Sequence, residues 1–304
     1  MTAVLSTMYE TDGFDTSKVR FVDVDGIQTR VYENGSGPTL VLFSGGQIGS
    51  LYSIDSFSLN LEALAADLRV VAIDKIGQGA TGAPEADEAL TWEGTVRHAR
   101  RAIEVLGLEE VHLAGHSRGG MLISSLSYEM GDAVKSLVII DSGTLAPTEP
   151  GPNFYGELAV FPKGTPEAAR IEPDTQAFKP EQVTDDFMAR MLELSKDPAF
   201  QRIQAQMEAG AANTFLASLD AAHEAILERI AAEGLPVPTL MLWDYNDKSA
   251  PVSSGYKLLD IIAPRTPWTE FHVFNQGGHY PFRENPQSFN RVVRSWVLDV
   301  EART

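Results

Sequence analysis

The sequence contains no cysteine and little positive charge. The absence of cysteine from its 304 residues excludes disulfide bonds, thiolate nucleophiles, zinc ribbons and cysteine-ligated iron–sulfur clusters. Only 24 Lys and Arg residues stand against 42 Asp and Glu residues, which gives a formal net charge of −18. Because nucleic acids and anionic membrane surfaces attract basic faces, this charge argues against both as partners.

Long hydrophobic runs are also absent. No stretch approaches the ~18 uninterrupted apolar residues expected of a membrane-spanning helix. The N-terminal segment MTAVLSTMYETDGFD has no basic region, and polar residues interrupt its apolar ones, so it does not resemble a signal peptide. The composition, 43% hydrophobic and 22% charged, is typical of globular proteins. We therefore expect a cytoplasmic globular protein without a membrane partner.

Strand-like and helix-like segments alternate along most of the chain. Two segments around the turn dipeptide Asp25-Gly26 predict a β-hairpin, and short apolar runs predict buried strands. The predicted strands are residues 18–24, 27–32, 39–43, 69–73, 110–114, 134–140, 239–243 and 270–274. Helices are predicted at residues 57–66, 91–106, 121–130, 253–262 and 286–300. This order predicts an α/β fold with a mostly parallel sheet and helices on both faces.

The alternation is interrupted once. Between residues 145 and 234 the sequence predicts no buried strand, and residues 183–232 have helical character instead. We therefore predict a loose N-terminal leader at residues 1–16 and one core domain formed by residues 17–144 and 235–304. The intervening residues 145–234 are predicted to form a helical cap inserted into that domain.

The motif GHSRG at residues 115–119 is the strongest candidate for chemistry, because it lies between a predicted strand and a predicted helix. A sharp strand-to-helix turn needs glycine on both sides of its central residue, since the backbone passes close to it. Such a turn exposes the Ser117 hydroxyl above the sheet and directs the Arg118 N–H toward a developing negative charge. In the alternative interpretation, Ser117 only caps the following helix.

A serine hydroxyl needs a base before it can act as a nucleophile at neutral pH. Among the six histidines, His279 alone lies in a glycine-rich loop that follows a predicted strand near the C-terminus. Such a base needs a carboxylate to orient it. Asp247 is the preferred candidate, and Asp141 and Asp244 are the alternatives. No histidine pair has metal-ligand spacing supported by carboxylates, so the sequence predicts no metal site.

Over residues 19–300 the chain resembles α/β-hydrolase-fold proteins. The matching segments are SGGQIG (44–49), GHSRGG (115–120), WDYNDKSAP (243–251) and GGHYPFRENP (277–286), in the chain order Ser, Asp, His. Within that superfamily, the segment AIDKIGQGATGAP and the helical cap are similar to capped hydrolases that cleave a C–C bond in meta-ring-fission products. The resemblance implies an eight-stranded, mostly parallel sheet with a cap after strand six. It also implies an oxyanion hole formed by the N–H groups of Gly46 and Arg118.

Several positions depart from the pattern of that family. Ser44-Gly45 stands where these hydrolases usually carry His-Gly, and Tyr280 replaces the tryptophan that usually follows the catalytic histidine. The family binds the carboxylate or keto group of its substrate through an arginine on a cap helix. Arg190 lies in a similar segment, but the family spacing falls on Met191. These five residues are the candidate substrate-binding positions.

Three functions are consistent with this pattern. The first is a serine hydrolase that cleaves a C–C bond of a 2-hydroxy-6-oxo-dienoate type ring-fission product, or a related apolar ester. The second is a carboxylesterase or lactonase, which the departures at Met191 and Tyr280 favour. The third is a ligand receptor without turnover, because receptors on this fold retain an intact triad. The expected partner is a small apolar or aromatic-derived molecule, no cofactor is predicted, and a homodimer is left open.

Overall fold

Eight strands form one sheet at the centre of the protein. They are β1 (Val19–Val24), β2 (Ile27–Asn34), β3 (Thr39–Phe43), β4 (Arg69–Ile73), β5 (Val111–His116), β6 (Val134–Ile140), β7 (Thr239–Asp244) and β8 (Thr269–Phe274). Their spatial order is β1-β2-β4-β3-β5-β6-β7-β8. The β1–β2 and β2–β4 pairs are antiparallel, and all other neighbours are parallel. The predicted eight-stranded, mostly parallel sheet is therefore confirmed.

The computed structural model describes residues 15–85, 90–147, 154, 158 and 165–303. The predicted leader, residues 1–16, lies outside this part of the chain except for Asp15 and Thr16. Residues 148–153, 155–157 and 159–164 of the predicted cap also lie outside it. No helix in the described ranges combines the length and the apolar character that a membrane crossing requires.

The turn between β1 and β2 is the predicted two-residue hairpin. Val24 pairs with Ile27, so Asp25 and Gly26 alone form the connection. Both turn residues have positive φ, 52° for Asp25 and 88° for Gly26. A type I′ turn requires this conformation at both positions, and the Asp-Gly dipeptide favours it.

The central strands are apolar along their whole length because the sheet has a core on each face. In β3, Val41 and Phe43 pack into one core, whereas Leu40 and Leu42 pack into the other. Side chains of a strand alternate between the two faces, so a strand covered on both sides loses the usual polar alternation. This is why a short run such as TLVLF predicts a buried strand correctly.

The helices that cover the sheet are α1 (Leu61–Leu64), α2 (Trp92–Val105), α3 (Arg118–Met130), α8 (Val252–Ile262), α9 (Pro281–Glu284) and α10 (Pro286–Glu301), numbered in chain order. The helix predicted at residues 57–66 is shorter than expected, with α1 preceded by a 3-10 turn (Ile54–Phe57). The Asn60 amide donates to the Phe282 carbonyl at 2.9 Å, so a polar side chain in this segment serves a tertiary contact.

Between β6 and β7 the described residues form helices and contain no strand. These helices are α4 (Pro166–Gln176), α5 (Asp185–Leu194), α6 (Pro198–Gln206) and α7 (Ala212–Glu233). A π-helical stretch, Met207–Ala211, joins α6 to α7. The division of the chain into a core and a cap at residues 144 and 235 stays a prediction.

Candidate active site

Ser117 lies at a strained turn between β5 and α3. Its φ and ψ are 52° and −119°, a combination that residues other than glycine rarely adopt. Its N–H donates to the Ile140 carbonyl at 2.8 Å, and its carbonyl accepts from Ser142 Oγ at 2.6 Å. Hydrogen bonds on both sides of Ser117 therefore hold the strained conformation in place.

The glycines around Ser117 are needed because backbone atoms pass very close to them. A Cβ added to Gly115 would lie 2.1 Å from the Gly119 carbonyl oxygen. A Cβ added to Gly119 would lie 2.7 Å from the carbonyl oxygen of Phe43 in the neighbouring strand. Both positions therefore exclude a side chain, as the sequence pattern predicts for a sharp strand-to-helix turn.

His279 lies in the loop between β8 and α9, and Asp247 binds it. The His279 Nδ1 is 2.5 Å from Asp247 Oδ2. The other carboxylate oxygen, Oδ1, accepts from the Ser249 N–H, the Ser249 hydroxyl and the Ala250 N–H at 2.8, 2.9 and 2.8 Å. One oxygen of Asp247 thus anchors the carboxylate to its own loop, and the other orients the imidazole.

His116 connects the serine turn to the histidine loop. Its Nε2 donates to the His279 carbonyl at 2.8 Å, because a carbonyl oxygen can only accept. The centroids of the two imidazole rings are 4.5 Å apart. Burial, and then the charge of His279, lower the pKa of His116 well below its ordinary value. His116 is therefore neutral. Because it directly precedes Ser117 in the chain, its hydrogen bond holds the backbone of His279 close to the serine turn.

Among the three candidate carboxylates, Asp247 alone bonds His279 in the part of the chain that the structure describes. Asp141 Oδ1 accepts instead from the Asp244 N–H at 2.8 Å. Burial first, and then the charges of Asp244 and Asp247, raise the pKa of Asp141 well above its ordinary value. Burial, Glu284 and Asp247 raise the pKa of Asp244 in the same direction. These two carboxyls favour the neutral form and are poor partners for an imidazolium.

The loop after β3 carries Gly45, a predicted substrate-binding position, and Gly46 of the predicted oxyanion hole, and it packs against the serine turn. A Cβ on Gly45 would lie 3.0 Å from the Cβ of Ser117, so the loop closely approaches the serine. Lys75 Nζ donates to the carbonyls of Gly45 and Gly46 at 3.2 and 3.1 Å. Gln78 Nε2 donates to the Gly45 carbonyl at 3.0 Å. Two side chains from the turn after β4 therefore hold the loop that contains Gly46.

The buried Lys75 should make the free energy of unfolding depend on pH. Burial first, and then the charge of Arg118, lower the pKa of Lys75 to about 7 in the folded protein, from 10.5. Between these values the unfolded chain binds more protons, so stability rises with pH, by at most about 1.4 kcal/mol per pH unit. We expect Lys75→Met to abolish this component. Urea unfolding at pH 7, 8 and 9 measures it, and an unchanged pH slope would contradict the assignment. Exposed Lys18 provides the matched Lys→Met control.

A cavity of about 670 Å³ adjoins this site. The lining combines residues from the core and from the helices between β6 and β7: Gly46, Tyr52, Arg118, Glu172, Met191 and Leu216 are among them. Three of the sequence-predicted site residues, Gly46, Arg118 and Met191, therefore meet at one cavity. The other predicted site residues are not among the described residues that line it: Ser44, Gly45, Ser117, Arg190, Asp247, His279 and Tyr280.

Arg190, predicted to bind substrate, is buried in an ion network instead. Its Nε is 3.6 Å from Asp55 Oδ1, and its Nη2 donates to Ser58 Oγ at 3.3 Å. The same carboxylate binds Arg30, whose Nη1 is 2.7 Å from Asp55 Oδ2. The side chains of Arg30, Asp55 and Arg190 are almost fully buried. Burial alone would raise the pKa of Asp55, but the charges of Arg30 and Arg190 lower it. The network keeps Arg190 beside Asp55.

Removal of the carboxylate from this network should destabilise the fold strongly. We expect Asp55→Asn to lower the free energy of unfolding by about 3 to 5 kcal/mol, because Arg30 and Arg190 lose a carboxylate that both contact, and Asp74, 3.4 Å from Arg30 Nη1, compensates only part of their buried charge. Asp67 pairs with Arg294 at the surface, and Asp67→Asn is the matched control with an expected loss of at most about 1 kcal/mol. Urea unfolding measures both variants, and equal losses would show that the buried network contributes no more than a surface pair.

The remaining two predicted positions are also buried. The Tyr280 hydroxyl bonds the Tyr52 hydroxyl at 2.6 Å and donates to the Gln176 side chain. Tyr280 thus supports Tyr52, which lines the cavity. Ser44 is buried, and its hydroxyl has no hydrogen-bond partner within the described residues. A single sequence predicts neither the hydrogen bonds of Tyr280 nor the burial of Ser44.

Sequence reasoning overlooked two titratable residues of the site. Lys75 sits inside the apolar turn AIDKIGQG, and a lysine in such a segment is the signal that could have revealed it. Glu172 lies on α4 and projects into the cavity, but one acidic residue on a helix carries no distinguishing signal. No group of three or more His, Asp and Glu side chains that could hold a metal occurs in the ranges that the structure covers.

Comparisons with known proteins agree with this fold. The family model described as the alpha/beta hydrolase family matches residues 40–292. The 2-hydroxy-6-oxo-6-(2'-aminophenyl)hexa-2,4-dienoic acid hydrolase of Metapseudomonas resinovorans is 24% identical, covering 91% of this chain and 90% of that protein. The 2-hydroxymuconate semialdehyde hydrolase of Pseudomonas sp. strain CF600 is 27% identical, with 91% and 93% coverage.

A solved structure shows the same architecture. The crystal structure of a meta-cleavage product hydrolase variant superposes with a TM-score of 0.76 at 24% sequence identity. The superposition covers 94% of this chain and all of that one. The family model spans most of the sheet and the segments that carry Ser117, Asp247 and His279. The chain belongs to the alpha/beta hydrolase family.

Proposed function

We propose that this protein is a serine hydrolase with the triad Ser117, His279 and Asp247. The observation that carries the proposal is the 2.5 Å contact between His279 Nδ1 and Asp247 Oδ2. A carboxylate at Nδ1 fixes the tautomer in which Nε2 can accept a proton, and it stabilises the imidazolium that follows. His279 accordingly takes a proton from Ser117 or from a water molecule.

The backbone N–H groups of Gly46 and Arg118 form the oxyanion hole in this proposal. Arg118 is the first residue of α3, and the N–H groups of the first helical turn have no partner within the helix. Gly46 lies in the loop that Lys75 and Gln78 hold against the serine turn. Two preorganised donors would stabilise the negative charge that develops on the substrate oxygen.

For the reaction, we propose hydrolysis of a C–C bond in a ring-fission product of the 2-hydroxy-6-oxo-dienoate type. The names of the two bacterial relatives support this choice, since one is a hydrolase of a 2-hydroxy-6-oxo-hexa-2,4-dienoic acid and the other a hydrolase of 2-hydroxymuconate semialdehyde. Apolar side chains in the cavity, such as Leu51, Met191 and Leu216, suit the carbon chain of such a substrate. Water is added across the bond, so the acyl fragment leaves as a carboxylic acid and the other carbon gains a hydrogen.

A carboxylesterase or lactonase is the second candidate, and one observation favours it. Met191 lines the cavity at the position where the resemblance implies an arginine, and Arg190 is engaged by Asp55. The cap therefore offers no arginine at that position to bind a dienoate. An uncharged ester would need no such cation.

A substrate panel tests the proposal. Ring-fission dienoates, 4-nitrophenyl esters and lactones are assayed with the wild-type protein and with Ser117→Ala. Rapid bleaching of a yellow dienoate supports C–C hydrolysis, whereas turnover of esters or lactones alone supports the second candidate. Tight ligand binding with no turnover of any class would reject a hydrolase and leave the receptor hypothesis.

A further inference from the structure

One cation in the cavity lining is not committed to another side chain. The Arg118 side chain lines the cavity, and its Nε is buried without a hydrogen-bond acceptor among the described residues. Its position in sequence, directly after Ser117, keeps it close to the proposed nucleophile. Arg190, in contrast, lies against Asp55 and outside the described lining.

Two further sources of positive charge lie near the Arg118 guanidinium. Lys75 lies behind the loop that contains Gly46, and the charge of Arg118 contributes to the lowered pKa of Lys75. Arg118 also begins α3, and a helix N-terminus carries a partial positive charge. Where Lys75 is protonated, below its pKa of about 7, a bound anion would therefore relieve the repulsion between Arg118 and Lys75.

Glu172 on α4 supplies an opposing charge in the lining of the same cavity. Burial raises its pKa, whereas the charges of His279 and Arg118 and a hydrogen bond with Tyr52 act in the opposite direction. No ion pair joins Glu172 to Arg118 in the part of the chain that the structure covers. The guanidinium thus remains available to a ligand, and an ionised Glu172 would repel an anionic one.

We propose that the Arg118 side chain binds the carboxylate of an anionic substrate, and that Glu172 limits this binding. The inference rests on the proposed function and names the charge that its substrate carries. A guanidinium presents two parallel N–H donors that match the two oxygens of a carboxylate. Arg118 would then have two roles, with its backbone N–H at the oxyanion and its side chain on the substrate's carboxylate.

Two matched esters measure this selectivity. In 4-nitrophenyl hydrogen adipate a carboxylate occupies the place of the terminal methyl group of 4-nitrophenyl hexanoate. The quantity measured is the ratio of kcat/KM for the adipate to kcat/KM for the hexanoate. Arg118→Gln should lower this ratio about 10- to 100-fold, the usual range for a lost charge-assisted hydrogen bond, and Arg118→Lys should lower it less. Arg202→Gln, an exposed position on α6, should leave the ratio unchanged.

Glu172→Gln provides a second variant with the opposite expected sign. The adipate to hexanoate ratio should rise several-fold, because the competing carboxylate is lost. In the wild-type protein the ratio should fall as pH rises through the pKa of Glu172. In Glu172→Gln this fall should be smaller, because only the deprotonation of Lys75, with a pKa of about 7, then lowers the positive charge near Arg118. An unchanged ratio in Arg118→Gln, or a lower ratio in Glu172→Gln, overturns the proposal.

Direct binding separates this inference from the serine mechanism. Calorimetry with adipate needs no turnover and uses Ser117→Ala and the double variant Ser117→Ala/Arg118→Gln. If Ser117→Ala binds adipate and the double variant does not, the carboxylate site is supported, even if Ser117 proves dispensable for hydrolysis. If both variants bind adipate equally, the role of Arg118 is refuted. The proposed serine mechanism would still stand if hydrolysis of the hexanoate depends on Ser117.

Discussion

Replacement of Ser117 by alanine will lower kcat by a factor of about 10⁴ or more for the best substrate of the panel. The reason is that covalent attack in this site depends on one hydroxyl, and the chain has no cysteine to replace it. Steady-state kinetics with a sensitive product assay measure the loss. Activity close to that of the wild type would rule out the serine mechanism.

The fold should survive this change, so the loss can be attributed to chemistry. The hydrogen bonds that hold the turn use the N–H and the carbonyl of Ser117, and alanine keeps both. The positive φ at this position affects alanine and serine alike. Ser125→Ala is a matched control, because Ser125 lies on α3 and, among the described residues, its hydroxyl donates to the Met121 carbonyl of the same helix. We expect its kcat to remain within about threefold of the wild-type value.

Replacement of Asp247 by asparagine should lower kcat about 10³- to 10⁴-fold. A neutral amide cannot stabilise the imidazolium of His279, and its NH₂ group favours the wrong tautomer. The three hydrogen bonds that Oδ1 accepts can be kept by the amide oxygen, so the loop should retain its position. The measurement is kcat as a function of pH, with thermal unfolding as a check of the fold.

The same substitution at the two neighbouring carboxyls decides which of the three is the acid. Burial and neighbouring carboxylates raise the pKa values of Asp141 and Asp244, so asparagine has the size of these side chains and the neutral charge that their surroundings favour. We expect Asp141→Asn and Asp244→Asn to change kcat by less than about tenfold. A loss at Asp141 as large as that at Asp247 would show that the acid has been assigned incorrectly.

The regular elements were predictable because their patterns are local. Apolar runs such as those of β3 and β4 have the length of a strand and are buried on both faces. The Asp25-Gly26 dipeptide specifies its own turn through backbone preference. The segment at residues 57–66 is not one helix, because Asn60 leaves the helical conformation, with φ of −120°. Its side chain donates to the Phe282 carbonyl, a contact with a distant part of the chain that the local pattern does not report.

Substrate-binding positions were less accessible to sequence reasoning. Arg190 and Met191 are adjacent on α5, yet Met191 lines the cavity and Arg190 contacts Asp55. Neighbouring residues on a helix point about 100° apart, so a shift of one position exchanges a cavity contact for a buried ion pair. No single sequence reports which side of α5 faces the cavity.

The sequence by itself determined the sheet, the sharp turn at Ser117 and the loop of His279, because glycine spacing and apolar runs are properties of neighbouring residues. Only the tertiary structure decided that Asp247, and not Asp141 or Asp244, contacts His279. It also decided that Arg118 and Glu172 share a cavity while Asp55 retains Arg190. These choices depend on burial and charge between segments distant in sequence, and such interactions exist only once the chain has folded.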